Sequence, residues 1–500
     1  MQTGVVRPRG VSLRRALPSG RLVGADDVAF RTICHDWRAC RPGDLFVALF
    51  DGHRDTHHDA ARAVARGAAA VLVERLLPLS VPQLMVRDTR AAYARLSMEL
   101  VGRPDESMTM IGVTGTCGKT STVALVESIL RQAGRNVAAL SDPCETTGAE
   151  LSGPRQIAVA TTLAELHERG TTEVVMELSS RSLATCDVAG VSFDVGVVTN
   201  IHRAHLAWHG NAVNYRRAKS RLLQQLKPEA HLLINSDDRF ARRLAGRAEH
   251  PVLYFGTTGD TELWAELVER VPGEQTFLLN IGIDTYAVCT RLTGDVHLKN
   301  CVAAAATALA LGVDPLTIVK GLEQIETIPG RIERLPGDEP CQVVVDVAAS
   351  ADALAGALKA LRPVTRGRLH CLFGPHPELD ASEQAALGRV AERYADHCVI
   401  TRHGLDRAAP RTPFPESHAI LDGFQRLSRS RVLPHRRAAI EWMMGQVAPH
   451  DVLLIAGHPD PLAGTPASFT EREVIESARQ REVEQRPVCR TIRIPMASPN

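Results

Sequence analysis

The stretch Ile111-Gly-Val-Thr-Gly-Thr-Cys-Gly-Lys-Thr-Ser-Thr122 decides how the rest of the chain is read. It follows a short apolar run (Met108, Met110, Ile111, Val113) and opens a segment with apolar residues at Val123, Leu125, Val126, Ile129 and Leu130. The first run is strand-like and the second set has helical spacing, so the order is strand, glycine loop, helix. Backbone N–H groups of such a loop, together with the positive end of the helix behind it, cradle phosphates. Lys119 is placed to reach terminal phosphates, and the Thr120 hydroxyl is a ligand for Mg²⁺. The pattern G-x-x-x-x-G-K-[ST] is met except at its first position, which is Val113. A glycine loop alone is commonly only a turn. With Lys-Thr in place between a strand and a helix, it points to nucleotide binding.

Around this loop lie 500 residues, a length that suggests about three domains at roughly 150 residues each. The chain is 44% hydrophobic and 23% charged, the composition of an ordinary globular protein. Its net charge of +1 gives no electrostatic footing for nucleic acid or a membrane surface. No apolar run approaches the ~20 residues that cross a bilayer, and residues 1–22 lack the apolar core of a signal peptide. A cytoplasmic monomer is expected, without nucleic-acid or membrane partners. Eleven scattered cysteines with no Cys-x-x-Cys pair argue against both a disulfide framework and a structural zinc site. Only six of the 58 basic residues are lysine, at 119, 219, 227, 299, 320 and 359. Against that bias towards arginine, a retained lysine points to a role needing an ammonium that can lose its proton.

Outward from the loop, residues 24–106 read as a compact α/β unit. A turn at Pro42-Gly43 feeds a strand, a helix spans Ala60 to Arg66, a strand Ala69 to Glu74, and a helix Ala91 to Leu100. Pro104-Asp-Glu106 makes the joint before the loop strand. From 108 to about 326 strands and helices alternate as in a parallel sheet covered on both faces. The strands are Asn136–Leu140, Glu173–Met176, Phe193–Val198 and Leu232–Asn235, and the helices Asn214–Leu226 and Asp238–Ala245. A β-rich excursion is expected over Thr276–Leu298, then an alanine-rich helix over Cys301–Leu311. The third block, from about 330, alternates strands at Gln342–Asp346, His370–Phe373 and Asp451–Gly457 with a helix at Ala351–Leu361 and suits a doubly wound sheet. The last residues, 479–500, read as a loose tail.

Behind the loop a second set of polar residues falls on strand ends. Glu177-Leu-Ser-Ser180 ends a buried-looking strand, and a carboxylate there lies on the edge where parallel sheets bind ligands. Asn200-Ile-His-Arg-Ala-His205-Leu-Ala-Trp-His209 follows the next strand, and the helix after it carries Lys219. Glutamate, histidine and the Thr120 hydroxyl suit a Mg²⁺ site beside nucleotide phosphates.

In these residues the chain resembles the Mur ligases, of the UDP-N-acetylmuramoyl-tripeptide synthetase kind. The resemblance rests on Gly115-Thr-Cys-Gly-Lys-Thr, Thr161-Thr162, Met176-Glu-Leu-Ser-Ser, Thr199-Asn200, His205-Leu-x-x-His209-Gly, Tyr215-x-x-Ala-Lys219 and Ile234-Asn-Ser-Asp-Asp238. Gly330-Arg331-Ile-Glu, Val345-Asp346 and Arg38-x-x-x-Pro42-Gly-Asp-Leu-Phe-Val-Ala extend it in both directions. It implies an α/β protein of three domains. An N-terminal extension (1–23) would precede a UDP-sugar-binding domain (24–106). A central ATP-binding domain with a P-loop parallel sheet (107–328) and a Rossmann-like C-terminal ligase domain (329–478) would follow. It also implies an ATP-dependent ligase adding an amino acid to UDP-N-acetylmuramoyl-L-alanyl-D-glutamate in peptidoglycan-precursor synthesis. A substrate carboxylate would take the γ-phosphate as an acyl phosphate, and an amine would displace it.

Residue roles follow from the resemblance. Gly115, Thr116, Cys117, Gly118, Lys119, Thr120 and Ser121 would hold ATP, with Asn300, Arg331 and Asp346 framing the nucleotide. Thr120, Glu177 and His205 would hold Mg²⁺, supported by Lys219 as a carbamylated lysine. Catalysis would rest on Lys119, Glu177, His205 and Lys219, while Arg38, Thr161, Thr162 and Ser179 would touch the UDP-muramoyl peptide. The departures from the family pattern concentrate on substrate binding. Ser-Ser-His becomes Ser179-Ser-Arg181, a substrate arginine becomes Asp187, and Asp-His-Leu-Asp becomes Ala204-His-Leu-Ala207. Asp-Ser-Arg becomes Asp36-Trp-Arg38, and Asp-Tyr-Ala-His becomes Asp346-Val-Ala-Ala349. The loop after the next strand is Gly374-Pro-His-Pro-Glu-Leu-Asp380. The diaminopimelate signature Asp-Asn-Pro-Arg is absent near Arg402, and Gly-Lys-Gly-His-Glu is shortened to Gly457-His-Pro-Asp460. Two other readings compete with the ligase: a catalytically weakened paralogue that regulates or scaffolds wall synthesis, and a relative acting on another carboxylate. The block at Pro42-Gly-Asp-Leu-Phe-Val disfavours the latter.

Overall fold

A computed structural model describes residues 10–50, 54–143, 155–202, 204–337, 341–376, 379–402, 414–457 and 471–479. They form two compact units that divide between Arg331 and Ile332. Among the described residues no helix is long and apolar enough to cross a membrane.

The first unit is organised by a nine-stranded sheet. From one edge its order is Val137–Leu140, Glu173–Leu178, Thr109–Thr114, Phe193–Val198, Leu226–Asn235, Val252–Gly256, Leu263–Val271, Glu274–Ile281 and Asp284–Thr290. All neighbours are parallel except the last two pairs, which are antiparallel. The central strands are apolar on both faces because helices cover both. Helices Lys119–Gln132, Asp295–Ala310 and Pro315–Gln324 pack one face through Val123, Ile129, Val302 and Leu322. Helices Arg155–Glu168 and Arg239–Ala245 cover the other through Val159, Leu163, Ala241 and Leu244. The chain leaves the loop strand towards one edge, returns beside it, then continues on its other side. That reversal puts the carboxyl end of Thr109–Thr114 at a topological switch point, where such sheets open a crevice.

Two expectations shift here. The β-rich excursion begins at Leu263, earlier than Thr276, and ends at Thr290. Its hairpins turn at Pro272-Gly273 and Gly282-Ile283, with Gly273 and Gly282 at φ +94° and +59°. The alanine-rich helix begins at Asp295 rather than Cys301. Gly294, at φ +114°, breaks the chain just before it, and an acidic first residue suits the positive helix end.

The N-terminal part of this unit is a five-stranded sheet ordered Arg21–Val23, Gln83–Met85, Ala70–Val73, Leu45–Val47, Ile33–Cys34. Only the first pair is antiparallel. Residues 10–23, set aside in the sequence as an extension, take part in this fold. Leu13 and Leu17, four apart, bury against Phe30, Tyr93 and Leu96, and Arg21–Val23 forms the edge strand.

The second unit is a six-stranded sheet ordered Glu333–Arg334, Gln342–Asp346, Val452–Ala456, Leu369–Phe373, His397–Ile400, Ser430–Val432, parallel except for its first pair. Helices Ala351–Leu361 and Ala381–Tyr394 cover one face, and Arg436–Met444 with the helix over 471–479 the other. Arg436 is buried there, paired with Glu471 and donating to the Ala456 carbonyl at 3.0 Å. The tail beyond 479, the residues after Arg402 to 413 and those after Gly457 to 470 lie outside the described residues.

Candidate active site at the phosphate loop

The loop is held open from behind by the strand that follows it in the sheet. Asn200 Oδ1 accepts from the Thr116 and Cys117 N–H groups at 3.1 and 2.9 Å, and its amide donates to the Cys117 carbonyl at 2.9 Å. Thr199 Oγ1 donates to the same carbonyl at 2.7 Å, and the Thr116 hydroxyl lies 2.7 Å from that of Tyr215. Two glycines have to be glycines. A Cβ on Gly115 would lie 1.9 Å from Thr199 Oγ1; one on Gly118, at φ +84°, would lie 2.2 Å from Asn300 Oδ1. Helix Lys119–Gln132 then starts without a side-chain cap, so its first-turn N–H groups are unspent on the helix itself.

Beneath the loop lies a charged cluster. Thr120 Oγ1 donates to Glu177 Oε2 at 2.8 Å and accepts from Arg331 Nη2 at 2.8 Å. Lys119 Nζ sits 3.4 Å from Glu177 Oε1. Glu177 is buried at the carboxyl end of its strand, one strand from the loop. Lys219 meets the loop as well. It is 1% exposed and donates to the Gly115 carbonyl at 2.7 Å and to Thr114 Oγ1 at 3.3 Å. Burial first, and the Lys119 charge second, hold its pKa well below the usual lysine range.

His205 caps a short helix at φ +52° and stacks on Tyr215, with ring centroids 6.4 Å apart. The structure therefore joins Lys119, Thr120, Glu177 and Arg331 directly, and it links His205 to the loop through Tyr215. Asn300 is 2% exposed, and its Nδ2 has no hydrogen-bond partner beside Gly118. That orphaned donor, the two Cβ-free positions and the hard oxygen ligands all fit ATP with Mg²⁺. His297, on the same helix as Asn300, hydrogen-bonds the Arg331 backbone, and burial lowers its pKa to about 4.

Other expected residues lie elsewhere. Asp346 belongs to the second unit, where it accepts from the Ile332 and Ala348 N–H groups at 2.8 and 2.7 Å. Ser179 caps the helix Ser180–Ala184. Thr161 is exposed and Thr162 half-buried within the helix Arg155–Glu168. Arg38 is exposed, 3.6 Å from Asp36 and over the Trp37 ring. Asp187, where the resemblance leads one to expect arginine, is buried and accepts from Thr185 Oγ1 at 2.7 Å and Gln156 at 3.2 Å.

One acid escaped the sequence reading. Asp142 is fully buried just beyond the strand Val137–Leu140, accepting from the Ser179 N–H and, at 2.7 Å, from Ser182 Oγ. It was findable by the rule that picked Glu177, a carboxylate closing a parallel strand. His209, 2.9 Å from Ser180 Oγ, is likewise buried, and its pKa is lowered to about 4 by burial and then by the nearby His205 and Lys219.

A glycine loop between a parallel strand and an uncapped helix, at a switch point of the sheet, defines a protein of the P-loop α/β class. The chain belongs to the Mur ligase family: the Mur ligase middle domain matches residues 113–308, and the Mur ligase glutamate ligase domain matches residues 330–458. The UDP-N-acetylmuramoyl-L-alanyl-D-glutamate–2,6-diaminopimelate ligase of Pseudomonas aeruginosa is 34% identical over 478 residues, covering 90% of this chain and 95% of that protein. The ligase of the same name from Streptomyces coelicolor is 32% identical over 469 residues, covering 89% and 92%. A solved structure of a ligase with that name has a TM-score of 0.65 at 24% identity, covering 95% of this chain and all of the other. The MurF ligase of Thermotoga maritima in complex with ADP gives 0.60 at 20% identity, covering 91% and 98%. The α/β reading and the family resemblance are borne out.

Proposed function

We propose that this chain is an ATP-dependent ligase joining an amino acid to UDP-N-acetylmuramoyl-L-alanyl-D-glutamate, acting as a cytoplasmic monomer in peptidoglycan-precursor synthesis. The observation that carries this reading is the gathering of Lys119, Thr120, Glu177 and Lys219 around one glycine loop. Relatives similar over nine-tenths of the chain bear the name of such a ligase.

Bound ATP would supply the phosphoryl group that activates a carboxylate, and Mg²⁺ would neutralise the charge on its phosphates. This chain's residues position and balance charge. Residues Gly115 to Ser121 and the Lys119 ammonium hold the phosphates, and the unsatisfied Asn300 amide faces the nucleotide together with Arg331. The resemblance assigns Asp346 to nucleotide binding as well. The Thr120 hydroxyl, the Glu177 carboxylate and His205 hold the metal. The Lys219 amine, in its unprotonated form, takes up CO₂: an N–C bond forms, the nitrogen loses one proton, and the neutral amine becomes a carbamate anion that the Lys119 charge favours. Arginine cannot do this. Residues 24–106 hold the UDP end through Arg38, Ser179 with Thr161 and Thr162 contacts the muramoyl peptide, and residues 329–478 receive the amine.

The test is product analysis by mass spectrometry. Purified protein is given ATP, Mg²⁺, bicarbonate and the UDP-muramoyl dipeptide, with meso-diaminopimelate or lysine in separate reactions. One amine should yield a UDP-muramoyl tripeptide. No tripeptide from these or from a complete amino-acid pool would refute the reading.

A further inference from the structure

We propose that Cys34, Cys40 and Asp44 form a binding site for a thiophilic divalent cation of the zinc class. The inference is independent of the ligase reading, since it concerns a different sheet and is tested without nucleotide.

The sequence offers no Cys-x-x-Cys pair, and its spacing hides this cluster because the chain folds back between the two thiols. Ile33–Cys34 and Leu45–Val47 pair in parallel, Cys34 opposite Phe46, so residues 35–44 form a closed excursion. Its turn is tied by the Asp44 N–H to the Arg41 carbonyl at 3.1 Å, with Gly43 at φ +91° and its N–H bonded to Gly67. This brings both sulfurs and a carboxylate oxygen within 4.8 Å of one another, and all three residues are buried.

Tetrahedral zinc with Zn–S bonds of about 2.3 Å places its ligand atoms about 3.8 Å apart. The side chains therefore need to contract by about 1 Å or less, within the reach of small χ1 adjustments. Asp44 is oriented in advance: one oxygen accepts from the Arg41 N–H at 2.8 Å and the other from Thr32 Oγ1, the supporting hydrogen bonds that ligand carboxylates carry. Three groups that each become anionic on losing a proton are otherwise ill-matched. A divalent cation removes that conflict. It displaces one proton from each thiol, two M–S bonds and one M–O bond form, and the fourth position remains for water. The complex carries one net negative charge, near Arg66, which donates to the Cys40 carbonyl at 3.3 Å. Such an ion would fix the two ends of the segment that carries Asp36, Trp37 and Arg38.

The experiment uses the full chain and Co²⁺ as the probe, followed by displacement with Zn²⁺. One Co²⁺ per chain should bind with sulfur-to-cobalt charge-transfer absorption in the near ultraviolet, and two protons should appear per ion in weak buffer. Cys40→Ser should abolish the band, and Asp44→Asn, which conserves volume, should weaken binding about tenfold or more. Cys289→Ser, at an exposed thiol, should leave it intact. Should Cys40→Ser fail to fold, protection of Cys34 and Cys40 from alkylation by Zn²⁺ in the unaltered chain reads the same site. Absence of the band at saturating Co²⁺, its persistence in Cys40→Ser, or equal alkylation with and without Zn²⁺ would each overturn the proposal.

Discussion

At the residue scale the loop is constrained from two sides. Gly118 combines φ +84° with an Asn300 oxygen 2.2 Å from any Cβ placed there. Gly118→Ala should cost about 1–2 kcal/mol in backbone strain and displace the Asn300 amide. Calorimetry should then show ATP affinity falling by more than the thermal midpoint alone explains. Lys219 has little tolerance either, since it is buried and burial holds its pKa well below the usual lysine range. Lys219→Ala should lower turnover by about 10²–10³ fold, as loss of one preorganised charge does. Formate or acetate should restore part of that activity, whereas Lys119→Ala should gain nothing from either. Equal rescue of both variants would remove the carbamate from the mechanism. Glu177 was legible because it closes an apolar strand. Its grouping with Thr120, 57 positions earlier in the chain, was legible from ligand chemistry, but the direct bond between them was not. Asp142 carried the same strand-end signal, but its weak edge strand and the absence of a motif concealed it.

At the scale of elements, two buried devices yield predictions. His297 keeps a neutral imidazole down to about pH 4, while an unfolded chain protonates it near 6.5. The unfolded state therefore binds more protons between those values. Stability should fall as pH drops from 6.5 to 4 and level off below, by a few kcal/mol at most. His209 shifts in the same direction. Urea midpoints at pH 7, 5 and 4 should show this slope, flattened in His297→Gln; a slope unchanged by that substitution would assign the effect elsewhere. In the second unit, Arg436 and Glu471 form a buried pair between two helices. Glu471→Ala should destabilise that unit by about 3–5 kcal/mol, because it leaves an uncompensated buried guanidinium. Limited proteolysis should then cut residues 332–479 first. Continuous apolar runs made the parallel strands readable at this scale. The hairpin strands were half-read because Leu263–Val271 is mostly exposed and interrupted by Glu266, Glu269 and Arg270, and so lacks a continuous apolar run. Residues 11–17 were misjudged because arginines flank the two leucines that bury.

At the scale of the whole molecule, family membership accounts for the fold more directly than any single motif does. The strand order, the loop and the close packing of alanine-rich helix Asp295–Ala310 demand particular residues at few positions. Contacts with substrate are less constrained by folding than the core is, and Asp187, where the resemblance leads one to expect arginine, is held by internal partners, Thr185 and Gln156. Sequence patterns expose periodicity and loop chemistry well, but a pocket assembled from distant residues leaves no periodic trace. The most direct measurement is phosphate release from ATP by the purified chain with Mg²⁺ and bicarbonate, varying the UDP-muramoyl dipeptide and the amine separately. Release that needs both together, and that disappears in Lys119→Ala, is the predicted result. Release that ignores the dipeptide, or none with any amine while ATP still binds, would contradict a ligase built on this loop.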